Sequence, residues 1–329
     1  MLCSSKRSRK LPRFFLSALL VLCAGAARAG TFTTWEALEF AHPDGSAPLL
    51  MDLRVPDGSG PFPVIVFLHS GAWISGDRSG GPAIREAQRG YAVASIDYRL
   101  APKFHWPAQI EDCKAAVRWL RANAARFHLD PHRIGVFGTS AGGHLAAVLG
   151  TSAGIAELEG LELGNAQFSS AVRAVVDLYG PVDLLTMDAQ KLPCYPGLSA
   201  NDSFMPPSLL IGCPIQSCPE KTLTSNPITY VDKSDPPFLI LQGKLDCLTP
   251  WQQAQELYDA LQGAGVASRL VYLPNAEHAD DEFNSPENQA LIDQFLDVNL
   301  KGVRRRAATP SPAALPSSSP HAAPQSRSR

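Results

Sequence analysis

The stretch from Ile134 to Val148, IGVFGTSAGGHLAAV, runs from an apolar segment through a serine fenced by glycines into an alanine-rich amphipathic run. Gly138 and Gly142 stand two residues either side of Ser140. That is the G-x-S-x-G spacing of a sharp strand-to-helix turn, where flanking side chains have no room. A hydroxyl lifted out of the backbone at such a bend is placed for nucleophilic attack. The helix behind it turns free N–H groups and the positive end of its dipole towards negative charge developing on a substrate oxygen. The rival reading is a structural turn, and the buried-type strand before Ser140 and the helix after it argue against that.

Serine is a poor nucleophile until a base takes its proton and an acid orients the base. In this kind of strand-turn-helix arrangement the acid and then the histidine follow the serine along the chain. Three histidines follow Phe137: His144, His278 and His321. His321 falls in a polar tail, and His144 lies one helical turn past Ser140, directed along the helix instead of across to the hydroxyl. His278 follows the last apolar run and the loop Leu273 to Glu277, where the base should arrive. Asp246 closes the preceding run, FLILQGKLD, and is the expected acid, with Thr249 expected to cap the helix that follows. Asp280, Asp281 and Glu282 lie beyond the histidine and break the chain order.

A tetrahedral intermediate needs donors for its oxyanion. The segment FLHSGAW, Phe67 to Trp73, leaves an apolar run and offers backbone N–H groups at Gly71 and Ala72, to which Ala141 N–H adds a third. His69 is expected to brace this loop by hydrogen bonding. Trp73, Tyr98, Phe104, Trp106 and Trp251 stand near predicted loop edges and are candidates for an acyl or aryl pocket, with core packing the alternative for each.

These side chains need a scaffold that brings distant segments to one rim. Apolar runs at Pro63–Leu68, Tyr91–Ile96, Ile134–Phe137, Val172–Leu178, Phe238–Leu241 and Arg269–Leu273 alternate with stretches carrying apolar residues at three- and four-residue spacing. Those stretches are Pro82–Arg89, Ala108–Phe127, Ala141–Ser152, Pro250–Gly263 and Pro286–Leu300. The alternation predicts an α/β fold, a mostly parallel sheet with helices on both faces and functional loops at the carboxyl ends of its strands. Glu36–Phe40 and Leu49–Val55, separated by Pro43-Asp44-Gly45, read as an antiparallel hairpin at the sheet edge. Residues 186–234 break the pattern with seven prolines and three cysteines, and read as a crossover excursion near the mouth of the site, lid-like or merely a stapled surface loop.

At 329 residues, with 45% hydrophobic and 18% charged, the chain can bury one large domain, expected over residues 30–301. Residues 1–29 combine a basic start, an apolar run from Phe14 to Ala27 and the small residues of Ala27-Arg28-Ala29, as in a secretory leader cut after Ala29. The run is shorter than the roughly 20 residues a membrane anchor needs, so no stable membrane insertion is expected after leader removal, and the location is read as secreted or periplasmic. The leader and the stretch from Lys301 onward each hold six basic residues and no acid, which leaves residues 30–300 at −14 and argues against a nucleic-acid partner. The tail, residues 302–329, is Arg, Pro, Ser and Ala and is expected to be disordered. Cys113 shares a helical apolar stripe and reads as a buried thiol, while Cys194, Cys213, Cys218 and Cys247 read as two disulfides whose pairing is open.

Four blocks resemble the α/β-hydrolases, and among them the carboxylesterases grouped with hormone-sensitive lipase and with bacterial feruloyl and acetylxylan esterases: HSGAW, DYRLAPKFHWPAQIEDCKAAVRWL, GTSAGG, and PPFLILQGKLDCLTPWQQAQELYDAL followed by AEH. The resemblance implies an α/β-hydrolase fold, the triad Ser140, Asp246 and His278, no metal or organic cofactor, and a small-molecule or polysaccharide-linked ester as substrate. The sequence departs at Ser70, where relatives carry glycine, and at Gln242, where a histidine often precedes the glycine. An amidase or peptidase on the same triad and a non-catalytic binding protein of the same fold are the alternatives.

Overall fold

Along the strand Phe62–Leu68 (β3), Val64, Val66 and Leu68 face one side and Ile65 and Phe67 the other, and all five are buried. A strand covered on both faces needs apolar residues at every position, which is why these runs read as continuous. A computed structural model of the chain describes residues 30–303, so the leader expected over residues 1–29 and residues 304–329 of the expected tail lie outside the described residues.

The strands are Phe32–Ala41 (β1), Leu49–Pro56 (β2), β3, Ala92–Ile96 (β4), Leu129–Thr139 (β5), Val175–Leu178 (β6), Phe238–Gly243 (β7) and Ser268–Leu273 (β8), forming one sheet in the order β1-β2-β4-β3-β5-β6-β7-β8. β1 and β2 form the antiparallel edge hairpin, β2 pairs antiparallel with β4, and every pairing from β4 to β8 is parallel. The helices Ala83–Gln88 (α1), Ala108–Ala122 (α2), Ala141–Thr151 (α3), Met187–Gln190 (α4), Pro206–Ile211 (α5), Pro219–Leu223 (α6), Trp251–Gly263 (α7) and Pro286–Leu296 (α8) cover both faces. α2, α3 and α7 pack over Val64, Val136 and Ile240, and α1 and α8 over Ile65, Val93 and Leu239.

After β3 the chain moves to one side of the sheet and after β5 to the other, so the crevice between their carboxyl ends is the topological switch point where open α/β sheets bind ligands. Leu68 at the end of β3 pairs with Gly138 near the end of β5, which sets Ser70 and Gly71 beside Ser140 in space.

Boundaries shift in places. The strand expected over Val172–Leu178 has ladder geometry from Val175, and the last helix ends at Leu296 before continuing as a wider turn over Asp297–Lys301. Residues 186–234 hold only short helices. Pro206 and Pro219 open α5 and α6, where a missing N–H costs nothing. The disulfides are Cys194–Cys247 and Cys213–Cys218, and Cys113 is buried and free.

One buried feature has no apolar signature. Lys114 and Arg118, one turn apart on α2, have fully buried side chains and meet Glu159: Lys114 Nζ donates to Glu159 Oε1 at 2.9 Å and Arg118 Nη1 to Glu159 O at 2.6 Å. Against the opposing effect of burial, the hydrogen bond and charge of Lys114, together with the Ser170 hydroxyl and the Gly154 N–H, hold the Glu159 carboxyl below its ordinary range. Glu159→Ala strands two buried cations and should cost about 3 kcal/mol or more of stability, read as a lowered urea midpoint at unchanged slope.

Candidate active site

Ser140 has φ +53° and ψ −120°, a strained conformation for a residue with a side chain. It is held there by its neighbours. Ser140 N–H donates to Leu178 O at 2.9 Å, and His144 N–H donates to Ser140 O at 3.0 Å as the first turn of α3. A Cβ on Gly138 would fall on the carbonyl of Gly142, and one on Gly142 would fall on the carbonyl of Leu68. Gly143 is a third constrained position, because the Asp177 carboxylate of β6 occupies the space where its side chain would be.

The Ser140 hydroxyl lies 2.9 Å from His278 Nε2, and His278 Nδ1 lies 2.7 Å from Asp246 Oδ2. Three side chains distant in sequence therefore form one hydrogen-bonded line. His278 is carried by the loop after β8, which leans back across β7: Leu245 N–H donates to Ala276 O at 3.0 Å, and a Cβ on Gly243 would meet that same carbonyl. The His278 ring packs edge-on against Tyr179, centroids 4.9 Å apart, and Tyr179 in turn packs against Phe283. Burial pushes the Tyr179 phenol up to about 12.

Asp246 is fully buried. Its Oδ1 accepts from Leu248 N–H and Thr249 N–H, both at 2.8 Å, and its Oδ2 accepts from Gln242 Nε2 at 3.1 Å as well as from His278. The expected cap at Thr249 is absent: α7 starts after Pro250 with no side-chain cap, and the carboxylate of Asp246 takes the backbone donors of the turn instead. Gln242 also donates towards Gly243 O and Thr249 O, so the residue that departs from the family pattern is a clamp on the acid loop.

Opposite this line of side chains, Gly71, Ala72 and Trp73 have φ of +123°, +52° and +60°. Three successive positive values fold the end of β3 into a tight turn. Ser70, the other departure, ties that turn to the nucleophile strand: its hydroxyl lies 2.7 Å from Thr139 Oγ1 and donates to Thr139 O at 3.1 Å. His69 Nδ1–H donates to Ser70 O at 2.6 Å, its ring stacks on Tyr98 at 4.1 Å, and burial lowers its basicity. Ala72 and Ala141 line a cavity of about 320 Å³ together with Ser140 and His278, whereas Gly71 belongs to the turn without lining the cavity. The remaining walls are mostly apolar and come from residues 187–207, including Met187, Leu192, Tyr195, Leu198 and Met205, with Leu248 from the acid loop. The cavity wall and the acid loop are joined covalently by Cys194–Cys247.

Of the aromatic candidates, Trp73 lines this cavity. Tyr98 does not: it is buried under His69 and donates its hydroxyl to His69 O at 2.9 Å. Nor does Trp251, whose ring faces Tyr272 and carries Lys244 Nζ 3.3 Å from its centroid. Phe104 lies under Arg99 and Lys103, and Trp106 is buried with its indole N–H donated to Thr224 Oγ1. The wall residues of 187–207 went unforeseen as individuals because that segment has no periodicity to assign them a direction; the proline and cysteine density was the one signal available.

The BD-FAE family profile matches residues 51–261. The chain belongs to the BD-FAE family. It is 36% identical over 226 residues to esterase LipC of Mycobacterium tuberculosis, an alignment covering 67% of this chain and 54% of LipC. It spans about half the length of such curated relatives. Among solved structures, a truncated carbohydrate esterase from gut microbiota superposes with TM-score 0.71 at 29% identity, covering 82% of this chain and 96% of that one. A bifunctional GH43-CE protein of Bacteroides eggerthii superposes with TM-score 0.69 at 32% identity over 80% of this chain and 37% of that one. The fold of this BD-FAE member is that of the α/β-hydrolase esterases.

His144, on the helix behind Ser140, is fully buried, and desolvation lowers its pKa from 6.5 to about 4. The unfolded chain thus takes up this proton near pH 6.5 and the folded chain only near pH 4. Stability from this group is complete above pH 6.5 and falls as pH drops through that window, by about 3 kcal/mol in all. Urea midpoints measured from pH 7 to pH 4 should fall less steeply in His144→Gln than in the wild type.

Proposed function

We propose that the protein is a serine carboxylic-ester hydrolase working through an acyl-enzyme, exported to an oxidising compartment. The observation that carries the reading is the line from Ser140 Oγ through His278 to Asp246, at 2.9 and 2.7 Å, opening into an apolar cavity. Ser140 Oγ attacks the ester carbonyl while His278 Nε2 takes its proton. Asp246 accepts from His278 Nδ1–H and so keeps Nε2 free to act as the base. Negative charge on the former carbonyl oxygen is met by the N–H groups of Ala72 and Ala141, the two of the three expected donors that line the cavity. His278 then protonates the departing alcohol, and a water activated by the same nitrogen frees the acid from Ser140.

The acyl group is accommodated by the apolar walls of residues 187–207, which suits groups larger than acetyl. The esterase and carbohydrate-esterase relatives support an ester as the substrate class. Two disulfides support export, as does the leader read in the sequence.

Ser140→Ala should lower p-nitrophenyl ester turnover by about four orders of magnitude or more with an unchanged circular dichroism spectrum. Retained turnover would remove the nucleophile assignment, and faster cleavage of a matched anilide than of the ester would move the reading to an amidase.

Across p-nitrophenyl acetate, propionate and butyrate, kcat/KM should rise by about fourfold per methylene, the equivalent of burying ~0.8 kcal/mol each. A flat or falling series would show that the cavity does not hold the acyl chain. Methyl ferulate placed beside this series reads whether an aromatic acyl group is taken in the same way.

A further inference from the structure

His144 plays no part in the proton transfers above, yet its ring is held at both nitrogens. Trp73 Nε1–H donates to His144 Nδ1 at 3.2 Å, and His144 Nε2–H donates to Ser225 O at 2.8 Å. An indole N–H can only donate and a carbonyl can only accept, so these two partners fix the imidazole as the neutral Nε2–H tautomer. The ring is also wedged between two indoles, edge-on to Trp73 with centroids 5.2 Å apart and tilted against Trp106 at 5.9 Å.

Trp73 is the third of the successive positive-φ residues that shape the turn carrying Ala72 N–H. Alanine and tryptophan in the left-handed region are strained by roughly 1 kcal/mol or more each, and such a conformation persists only where the surroundings enforce it. Two contacts on Trp73 do so: its carbonyl accepts from Ala101 N–H at 2.9 Å, and its buried indole is anchored on His144. His144 sits one turn along the same helix as Ser140.

We infer that His144 is a positioning residue for the oxyanion turn, holding Trp73 through Nδ1 so that the N–H of the adjoining Ala72 is aimed at the space in front of the nucleophile. Resting on the ester-hydrolase reading, this joins the two halves of the site through one rigid helix: Ser140 at its head supplies the attacking oxygen, and His144 sets the donor that meets the developing charge. Ser225 fixes the other nitrogen, so the segment after α6 is the abutment against which the turn is held.

Losing an oxyanion donor outright costs about 100- to 1,000-fold in turnover, and losing one neutral hydrogen bond about fivefold. A mis-aimed donor falls between these. His144→Leu should therefore lower kcat on p-nitrophenyl butyrate by about tenfold with KM within twofold. It should also weaken inhibition by a trifluoromethyl ketone analogue, whose adduct carries the oxyanion, by about the same factor. His144→Gln can accept from Trp73 and donate to Ser225, and should recover most of the loss. In a Trp73→Phe background the His144→Leu change should cost less than twofold, because the bond is already gone.

A role confined to stability would leave kcat and analogue affinity of the folded His144→Leu protein at wild-type values, and that result overturns the inference. So does a tenfold loss that persists undiminished in Trp73→Phe. If His144→Leu does not fold, Trp73→Phe alone must show the matched loss in kcat and analogue affinity, and wild-type values there overturn the inference too. Turnover surviving in Ser140→Ala would instead remove the reading on which this one rests, so the two failures are distinguishable.

Discussion

The site depends on one residue held in a backbone conformation that its side chain disfavours. Ser140 at φ +53° stands clear of the chain only because β5, β6 and the start of α3 leave it no alternative. The Leu178 carbonyl takes its N–H, the first helical bond takes its carbonyl, and the Gly138, Gly142 and Gly143 contacts leave no volume into which the turn could relax. Strain of this kind costs roughly 1–3 kcal/mol, and packing of the surrounding sheet and helices outweighs it. Once the hydroxyl is fixed at the carboxyl edge of β5, the other parts have few places from which to reach it. β3 is its neighbour on one side and delivers the turn at Gly71, Ala72 and Trp73. β6, β7 and β8 follow on the other, and the loops of β7 and β8 deliver Asp246 and His278.

Distance across the sheet then explains the second glycine constraint. β8 lies three strands from β5, so His278 reaches Ser140 only if its loop lies flat over the end of β7. Gly243 provides that clearance, since any side chain there would displace the Ala276 carbonyl. Asp246, below His278, is buried with four donors on its two oxygens, two of them backbone. A buried carboxylate without such donors would be strongly disfavoured, so its hydrogen bonding is a condition of its being there.

These relations divide what could be read in one dimension from what could not. The strands and most helices were legible because burial on both faces writes a continuous apolar run, and Ser140, Asp246 and His278 followed from chain order at strand ends. Side-chain direction in loops was not legible. Tyr98 and Trp251 follow strands as Trp73 does, yet one is a brace beneath His69 and the other packs on Tyr272 under Lys244. An aromatic ring after a strand can turn either way, and the choice is made by partners from elsewhere in the chain. The same holds for Gln242: its departure from the family pattern was visible, but its function as a clamp on Asp246 requires knowing that the turn at Thr249 folds back on it.

Residues 186–234 are the extreme case, because their conformation is specified by tethers in place of periodicity. Asp188 accepts from Ser199 Oγ and from the N–H of Ala200, closing the 188–200 loop on itself, and Gln253 on α7 accepts from the N–H groups of Val182 and Asp183 at the entrance. Cys194–Cys247 then fastens the loop to the residue next to Asp246. Leu210, Ile211 and Ile215 anchor the segment in the core, while the part facing the cavity stays open. Tyr195, Leu198 and Leu248 stay 53%, 42% and 55% exposed around the cavity mouth. The disulfide and the Asp188 bonds tether this stretch beside the site, and its apolar side chains line the cavity above Ser140.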